Sequence, residues 1–546
     1  MAAILDTVRD LGRLREIAGV LARHGFDELL QRTGLSGLVP GKRSENPEPK
    51  LPVRFRLVLE ELGPTFIKLG QVLSTRADLL PADVVTELKQ LQDNVPPLPF
   101  EEMRGAIESE LGAAIPSVFS QFEEHPLASA SIGQVYRAQL SLEDGPVAVV
   151  IKAQRPNVSR VIDRDIDLLY SFAHTLERSI PESRAYRPSV LVAEFDRAIR
   201  AELDYAQEAD HAERFAENFA QLTAVVRFPK VYRELSSKKV ITLEYFDGLN
   251  VFDAVARGAS AERIAKNAVQ VVVKMIFEHG FFHADPHPGN ILIMGTAEEP
   301  VLGLIDLGLV GRLSPRLRDR LIDLLIASAS RDTRVIADVL YAIGRPTKKI
   351  DRAAFEADVS RLADKYLGRK LGDVAFAELL RDLSSAALTY GIEMPGELLM
   401  VGKAMMTVEG IARQIYPEID LVREIRPYFA EIVGYRYSPE RIASDLLHVA
   451  ARFANAATEF PARADDILED LRQGRMSAVV RQPNLSRATD RLGRRLSHAL
   501  FSSALALGGC AMWATAHPSE GMALVGLAVA WFVVSPLLVG TDKERD

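Results

Sequence analysis

The chain has 546 residues, 48% of them hydrophobic, with a formal net charge of −8; that is length for about two to four domains and apolar content for a sizeable core. The acidic balance argues against a nucleic-acid surface. A single cysteine, Cys510, excludes an intrachain disulfide and fits a reducing compartment.

In chain order, residues 1–40 come first, with Ile4, Val8, Leu11, Leu14, Ile17 and Leu21 spaced as one apolar helix face. Asp6, Asp10 and Glu16 interrupt any continuous apolar stretch there, so neither an export signal nor an organelle transit peptide is expected. A polar, proline-bearing stretch at 41–50 reads as a linker. A helical region over about 52–93 ends at Pro96-Pro97. It contains Pro64-Thr-Phe-Ile-Lys68-Leu-Gly70-Gln71, where helical spacing puts Lys68 and Gln71 on one face and Gly70 permits a close approach. An amphipathic helix with a surface lysine explains the same residues.

From about 116 to 250, short β-rich runs alternate with long helical segments. Ala128-Ser129-Ala130-Ser131-Ile132-Gly133 precedes the β-rich run ending at Lys152, the place of a phosphate loop, although it holds one glycine and should be stiff; an ordinary surface turn is the competing reading. A lysine closing a strand reaches nucleotide phosphates when a helix carboxylate orients it. One helical stretch, 194–215, offers Glu202, Asp204 and Glu208 for that role. The run Val240-Ile-Thr-Leu-Glu244-Tyr-Phe246-Asp-Gly248 fits a hinge whose backbone around Glu244 to Phe246 would bond an adenine edge, and fits equally a plain strand with an Asp-Gly turn.

The most informative segment is His283-Ala-Asp285-Pro-His-Pro-Gly-Asn290, followed after two apolar runs by Asp306-Leu-Gly308. A carboxylate and an amide five positions apart, with a second carboxylate on the next hairpin, is the pattern of kinase catalytic loops. Asp285 would position the nucleophile, and Asn290 and Asp306 would hold metal on the phosphates. From about 261 to 480 the rest is almost all helical. The segment 439–495 grows basic toward Arg487, Arg491, Arg494 and Arg495 and could lie along a bilayer surface. Two eighteen-residue runs without charge, 499–516 and 522–539, follow. Such a run spans about 27 Å, and flanking basic residues with none in the connecting turn predict a transmembrane pair with both ends in the cytoplasm.

Together these residues resemble the UbiB family of atypical kinase-like proteins. The resemblance runs from about 50 to 320 and extends through the paired C-terminal runs. It rests on Lys68-Leu-Gly70-Gln71 as the family's K-x-G-Q, Ala128-Ser-Ala-Ser131 as its alanine-rich loop, and Glu202-Leu-Asp204 as its E-x-D. It implies an α+β, two-lobed, atypical protein-kinase-like fold whose K-x-G-Q helix covers the active site, with Lys68 facing Glu202 and Asp204. It also implies ATP with Mg²⁺ and ATPase activity supporting ubiquinone biosynthesis. By the same carry-over Lys152 is the phosphate lysine and Asp285 the catalytic-loop carboxylate, with Asn290 and Asp306 as metal ligands. Glu208 is the glutamate expected near Lys152, with Glu202 competing.

The resulting organisation is an N-terminal helical segment and linker (1–50), a K-x-G-Q extension (51–115), an N-lobe (116–250) and a helical C-lobe (251–438). Juxtamembrane helices (439–498) and two transmembrane helices (499–546) complete it. Ala284 in place of the usual arginine, and the lack of Ala-Pro-Glu downstream of Asp306, argue against a true protein kinase. The expected function is a membrane-anchored ATPase or small-molecule kinase on the cytoplasmic face of a bacterial inner membrane. Its expected partners are nucleotide, a membrane lipid or quinone precursor, and quinone-biosynthesis enzymes. An ATP-binding scaffold without required turnover is the alternative.

Overall fold

The computed structural model describes residues 2–38, 50–74, 80–91, 95–143, 145–180, 182–183, 187–330, 332–347, 350–367, 389–436, 500–511 and 518–539, with a few isolated positions between 382 and 447. Contacts divide the chain into two units, 1–438 and 439–546.

In the first unit, helices α1 (Ala2–Arg23), α2 (Leu51–Leu62), α3 (Pro64–Ser74) and α4 (Ala82–Leu88) form an N-terminal extension. Leu11, placed by its spacing on the apolar face, is 51% exposed; among the described side chains of α1 the buried ones are Ala18, Val20 and Leu21. Gly70 is where α3 meets its neighbours, because a Cβ there would overlap Leu91 Cδ1 and Leu59 Cδ1. The extension shares one core with α6 (Val158–Ser179) and α7 (Pro188–Glu202), through Phe66, Leu69, Ile162, Ile166, Phe195 and Ile199. An Arg13–Asp165 ion pair at 3.0 Å, with Asp165 fully buried, ties α1 to α6.

The N-lobe sheet comprises β1 (Gln121–Phe122), β2 (Ala128–Ser129), β3 (Gly133–Leu142), β4 (Gly145–Gln154) and β6 (Val240–Glu244), in the order β1-β3-β4-β6 with β2 also on β3. Alternation sends Tyr136, Ala138, Leu140, Val149 and Ile151 to one face, packed on α5 (Phe100–Leu111). Lys152, paired with Val135 across β3 and Ile241 across β6, therefore points to the other face. The next helix, α8 (Tyr205–Asn218), follows α7 after only two intervening residues, Leu203 and Asp204.

The C-lobe is built on α9 (Ala261–Val273), whose apolar side packs under two hairpins. Strand β8 (Phe281–His283) pairs with β11 (Val310–Arg312); β9 (Ile291–Gly295) pairs with β10 (Pro300–Leu304), and the short strands β5 (Val226–Arg227) and β7 (Leu249–Asn250) flank that pair on β10 and β9. The loops 283–291 and 304–310 thus leave these strands side by side. Helices α10 (Pro315–Ser330), α11 (Thr333–Ile343), α12 (Arg352–Leu367), α13 (Gly396–Ile415) and α14 (Leu421–Arg436) follow. The core of this lobe includes Val269, Val272, Ile276, Leu304, Val401 and Val408.

In the second unit, a helix over 500–511 packs against a helix at Pro518–Val539. Gly509 makes the crossing close: a Cβ there would stand 2.8 Å from Gly521 O and from Val525 Cγ2. The rings of Phe501 and Trp531 are 5.8 Å apart. The two expected membrane spans are not supported, since among the described residues no helix is long and apolar enough to cross a membrane. The second helix spends its first turn on Pro518, Ser519 and Glu520 and contains Pro536. The juxtamembrane segment expected at 439–498 lies outside the described residues except at isolated positions.

Candidate active site

Lys152 is the centre of the site. Its Nζ donates to Glu208 Oε2 at 2.9 Å and Oε1 at 3.2 Å, and to Asp306 Oδ1 at 3.3 Å. The Tyr205 ring lies under the amine, 5.1 Å from its centroid. Burial alone would lower the lysine's pKa, but the charges of Asp306 and Glu208 more than offset it, and the value lies well above the ordinary one. The amine is permanently charged.

Three elements deliver these groups. Lys152 sits near the end of β4 by register. Asp306 follows β10 with φ of +55°, a left-handed conformation that Asp tolerates better than most residues. Glu208 lies one turn into α8, where Asp204 caps the helix by accepting from Ala206 N at 3.2 Å. The helical stretch expected over 194–215 is therefore two helices, broken at Leu203. The break separates the acids: Glu202, at the end of α7, pairs with Lys68 Nζ at 2.6 Å, while Glu208 pairs with Lys152. Asp204, the other acid expected opposite Lys68, is occupied as the cap.

Asp306 is the carboxylate that keeps its charge. Lys152 above all, with His283 and Lys68 adding to it, holds its pKa down to about 2. Glu208 is shifted the other way, because its own burial opposes ionisation more than Lys152 favours it. Burial also keeps the neighbouring His283 neutral, with a pKa lowered to about 4. His211 Nδ1 donates to Leu307 O at 3.0 Å and fixes the segment after Asp306.

Asn290 joins the two loops. Its Nδ2 donates to Asp285 O at 3.2 Å, and Ile305 N donates to its carbonyl at 3.0 Å. With the amide nitrogen so used, Oδ1 is the side-chain atom left to act as a ligand. Among the described residues no group of three or more His, Cys, Asp or Glu could hold a metal. One amide oxygen and one carboxylate are instead the hard, sparse donor set that suits Mg²⁺ arriving on a nucleotide, with phosphates and water completing its shell.

The alanine-rich segment is a tight hairpin. Ala128 and Ser129 pair with Val135 and Gln134, and Ala130 N donates to Gly133 O at 2.9 Å. Arg155, which the sequence reading passed over, clamps it by donating to Ala130 O at 2.9 Å and Ser129 Oγ at 2.8 Å. The Ser129 hydroxyl is thus committed to Arg155, and Ser131 is buried. At the hinge, Glu244 N donates to Lys230 O and Tyr245 N to Ala148 O. The Glu244 carboxylate accepts from Arg227 at 2.7 Å, and Phe246 is buried. An adenine edge would therefore have to use other backbone groups of that run than the amides of Glu244 and Tyr245.

Two domain families match the chain: the ABC1 atypical kinase-like domain over residues 90–340, and the UbiB helical domain over 359–420. The chain is 32% identical to a probable protein kinase UbiB of Marinobacter nauticus, over 96% of this chain and 97% of that protein. It is 33% identical, with the same coverage, to a probable protein kinase UbiB of Pseudomonas putida. The chain belongs to the UbiB family. Among solved structures it is similar to Rv3197 of Mycobacterium tuberculosis, determined with erythromycin, at 22% identity and a TM-score of 0.45, covering 66% of this chain and 90% of that one.

As a UbiB-family atypical kinase, the chain has a mixed helix-and-sheet kinase-like fold. The segment matched as the UbiB helical domain contains α13, and α13 carries a residue that no sequence pattern marked: Lys403, whose Nζ lies 3.0 Å from Asp285 Oδ1. Lys68 stands out differently, on a helix of the N-terminal extension rather than on either lobe, yet its charge reaches Asp306.

Proposed function

We propose that this UbiB-family chain is a phosphoryl-transfer enzyme that uses Mg-ATP, as an ATPase or small-molecule kinase, in support of isoprenoid-quinone (ubiquinone) biosynthesis. The observation that carries the reading is Lys152 held between Glu208 and Asp306. A lysine fixed by a helix glutamate and a metal-binding aspartate is the working arrangement for gripping nucleotide phosphates. Asn290 and Asp306 would hold Mg²⁺, which neutralises phosphate charge when bound. Lys152 would orient the phosphates, Asp285 would accept the proton of water or of a small-molecule hydroxyl, and the hairpin at 128–135 would close over the nucleotide. The quinone pathway is what membership of the UbiB family implies for the substrate side.

The Lys68–Glu202 pair supports ATPase or small-molecule chemistry over protein phosphorylation. It joins α3 to the end of α7 beside the site, and a bulky peptide would have to displace it. Attachment to a bilayer is part of the proposal. It is supported by the exposed Leu500, Phe501, Leu507, Met522, Leu527 and Val529 of the second unit, a concentration of apolar surface of the kind that marks lipid or partner contact.

The deciding experiment is Mg-dependent ATP hydrolysis by the full chain beside Asp306→Asn, with nucleotide binding measured in parallel. Turnover that falls on the order of 10²–10³-fold in the variant is expected. Tight ATP binding with no turnover by the unaltered chain, under any lipid or precursor condition, would replace the enzyme with a nucleotide-gated scaffold.

A further inference from the structure

The pair formed by Lys403 and Asp285 is not explained by stability. Their side chains are 34% and 36% exposed, and an ion pair between groups so exposed contributes little to stability. Packing, not the pair, places the amine. Val401 and Ala404 on either side of it are buried in the C-lobe core, and α13 lies against α9 and β11. Meanwhile the catalytic segment 283–290 contains no Lys or Arg, and Lys152 is committed to Glu208 and Asp306. Phosphoryl transfer concentrates negative charge on the transferred group, next to the carboxylate that positions the nucleophile, and a fixed cation there is worth most.

We propose that Lys403 is a catalytic residue that engages the terminal phosphoryl group of ATP, and that its bond to Asp285 is its resting position. The proposal deepens the reading above and rests on Asp285 acting as the catalytic-loop carboxylate. At rest the amine occupies Asp285 Oδ1. A terminal phosphoryl group offers it a more highly charged partner within reach, and the move frees that oxygen. The nucleophile's O–H proton then passes to Asp285 and its oxygen bonds to the γ-phosphorus. The bond from that phosphorus to the bridging oxygen breaks, and ADP leaves. ADP has no terminal group to draw the lysine away, so the Lys403–Asp285 pair stays closed over ADP. The site therefore discriminates the triphosphate from its product through a residue of the helical domain.

The test is equilibrium binding of ATP and ADP, with Mg²⁺, to the full chain and to Lys403→Met and Lys403→Arg, together with steady-state ATP turnover. The proposal expects Lys403→Met to keep its ADP affinity, to lose much of its preference for ATP over ADP, and to drop kcat by 10²–10³-fold, with Lys403→Arg recovering part of the loss. Unchanged preference and turnover in Lys403→Met would overturn it, as would a rise in turnover, which would make the amine only a block on Asp285. Equal loss of ATP and ADP affinity would overturn it too, by showing a structural role. If the unaltered chain binds ATP without turnover, the ATP-over-ADP preference still decides. An unaltered chain that binds neither nucleotide would instead remove the nucleotide-site reading itself.

Discussion

Asp306 and Glu208 approach one amine from different surroundings. The Asp306 carboxylate is 54% exposed and the Glu208 carboxylate 4%. The Lys152 charge above all lets Asp306 keep its own charge to about pH 2, whereas burial raises the pKa of Glu208. On acidification Glu208 is therefore the first of the two to take a proton, above the ordinary glutamate value of 4.5, and on protonation it lets go of Lys152. The sign follows: a raised pKa means the grip is lost as pH falls through it and regained as pH rises. ATP affinity should show an acid limb set by Glu208, and Glu208→Gln should remove that limb while lowering affinity at neutral pH. A pH series of ATP binding to both proteins checks this, and an identical limb in the variant would assign it to another group. Asp285, Asn290, Asp306 and Lys152 were all legible as residues, because kinase-like chemistry fixes their types and spacing. Lys403 and Arg155 were not, since their places beside the loops come from the interior of one helix and the end of one strand brought near by the fold.

At the scale of elements, the junction at Leu203 does the sorting. The sequence reading ran one helix through 194–215 and left Glu202 and Glu208 as rivals, when Asp204-Tyr-Ala-Gln207 carries the signature of a capping box. Asp204 Oδ1 does act as the cap, accepting from Ala206 N at 3.2 Å. Reading that signature would have split the helix and assigned both glutamates. The K-x-G-Q helix shows the converse, a close approach foreseen from one glycine. Gly70→Ala would force Leu59 and Leu91, both buried, to move together. Overpacking of that kind costs about 1–3 kcal/mol, so a lower melting temperature with nucleotide affinity largely kept is the expected outcome of thermal unfolding with and without Mg-ATP. A melting temperature equal to that of the unaltered chain would show that the two leucines repack freely.

For the whole molecule, the catalytic unit ends by residue 438 and the apolar helix pair belongs to a second unit. If that pair attaches the chain to lipid, removing 499–546 should abolish co-sedimentation with vesicles of anionic phospholipid and leave Mg-ATP binding intact. Equal sedimentation of both proteins would place lipid contact elsewhere, and loss of ATP binding would mean that the units do not fold separately. The expectation of two spans finds no support among the described residues, where no helix is long and apolar enough to cross a membrane.

The sequence by itself determined the family and its kinase-like residue pattern, because these are written in residue types at short spacings: Lys68 to Gln71, Asp285 to Asn290, Asp306 to Gly308. Tertiary structure decided among the acids that the resemblance left in competition, and gave Asp285 a lysine that no pattern marked. Lys68 takes Glu202, Lys152 takes Glu208 and Asp306, and Lys403 takes Asp285. Each pair joins elements far apart in the chain, and a charge at a helix or strand end has no partner until packing sets the distance to a few ångströms.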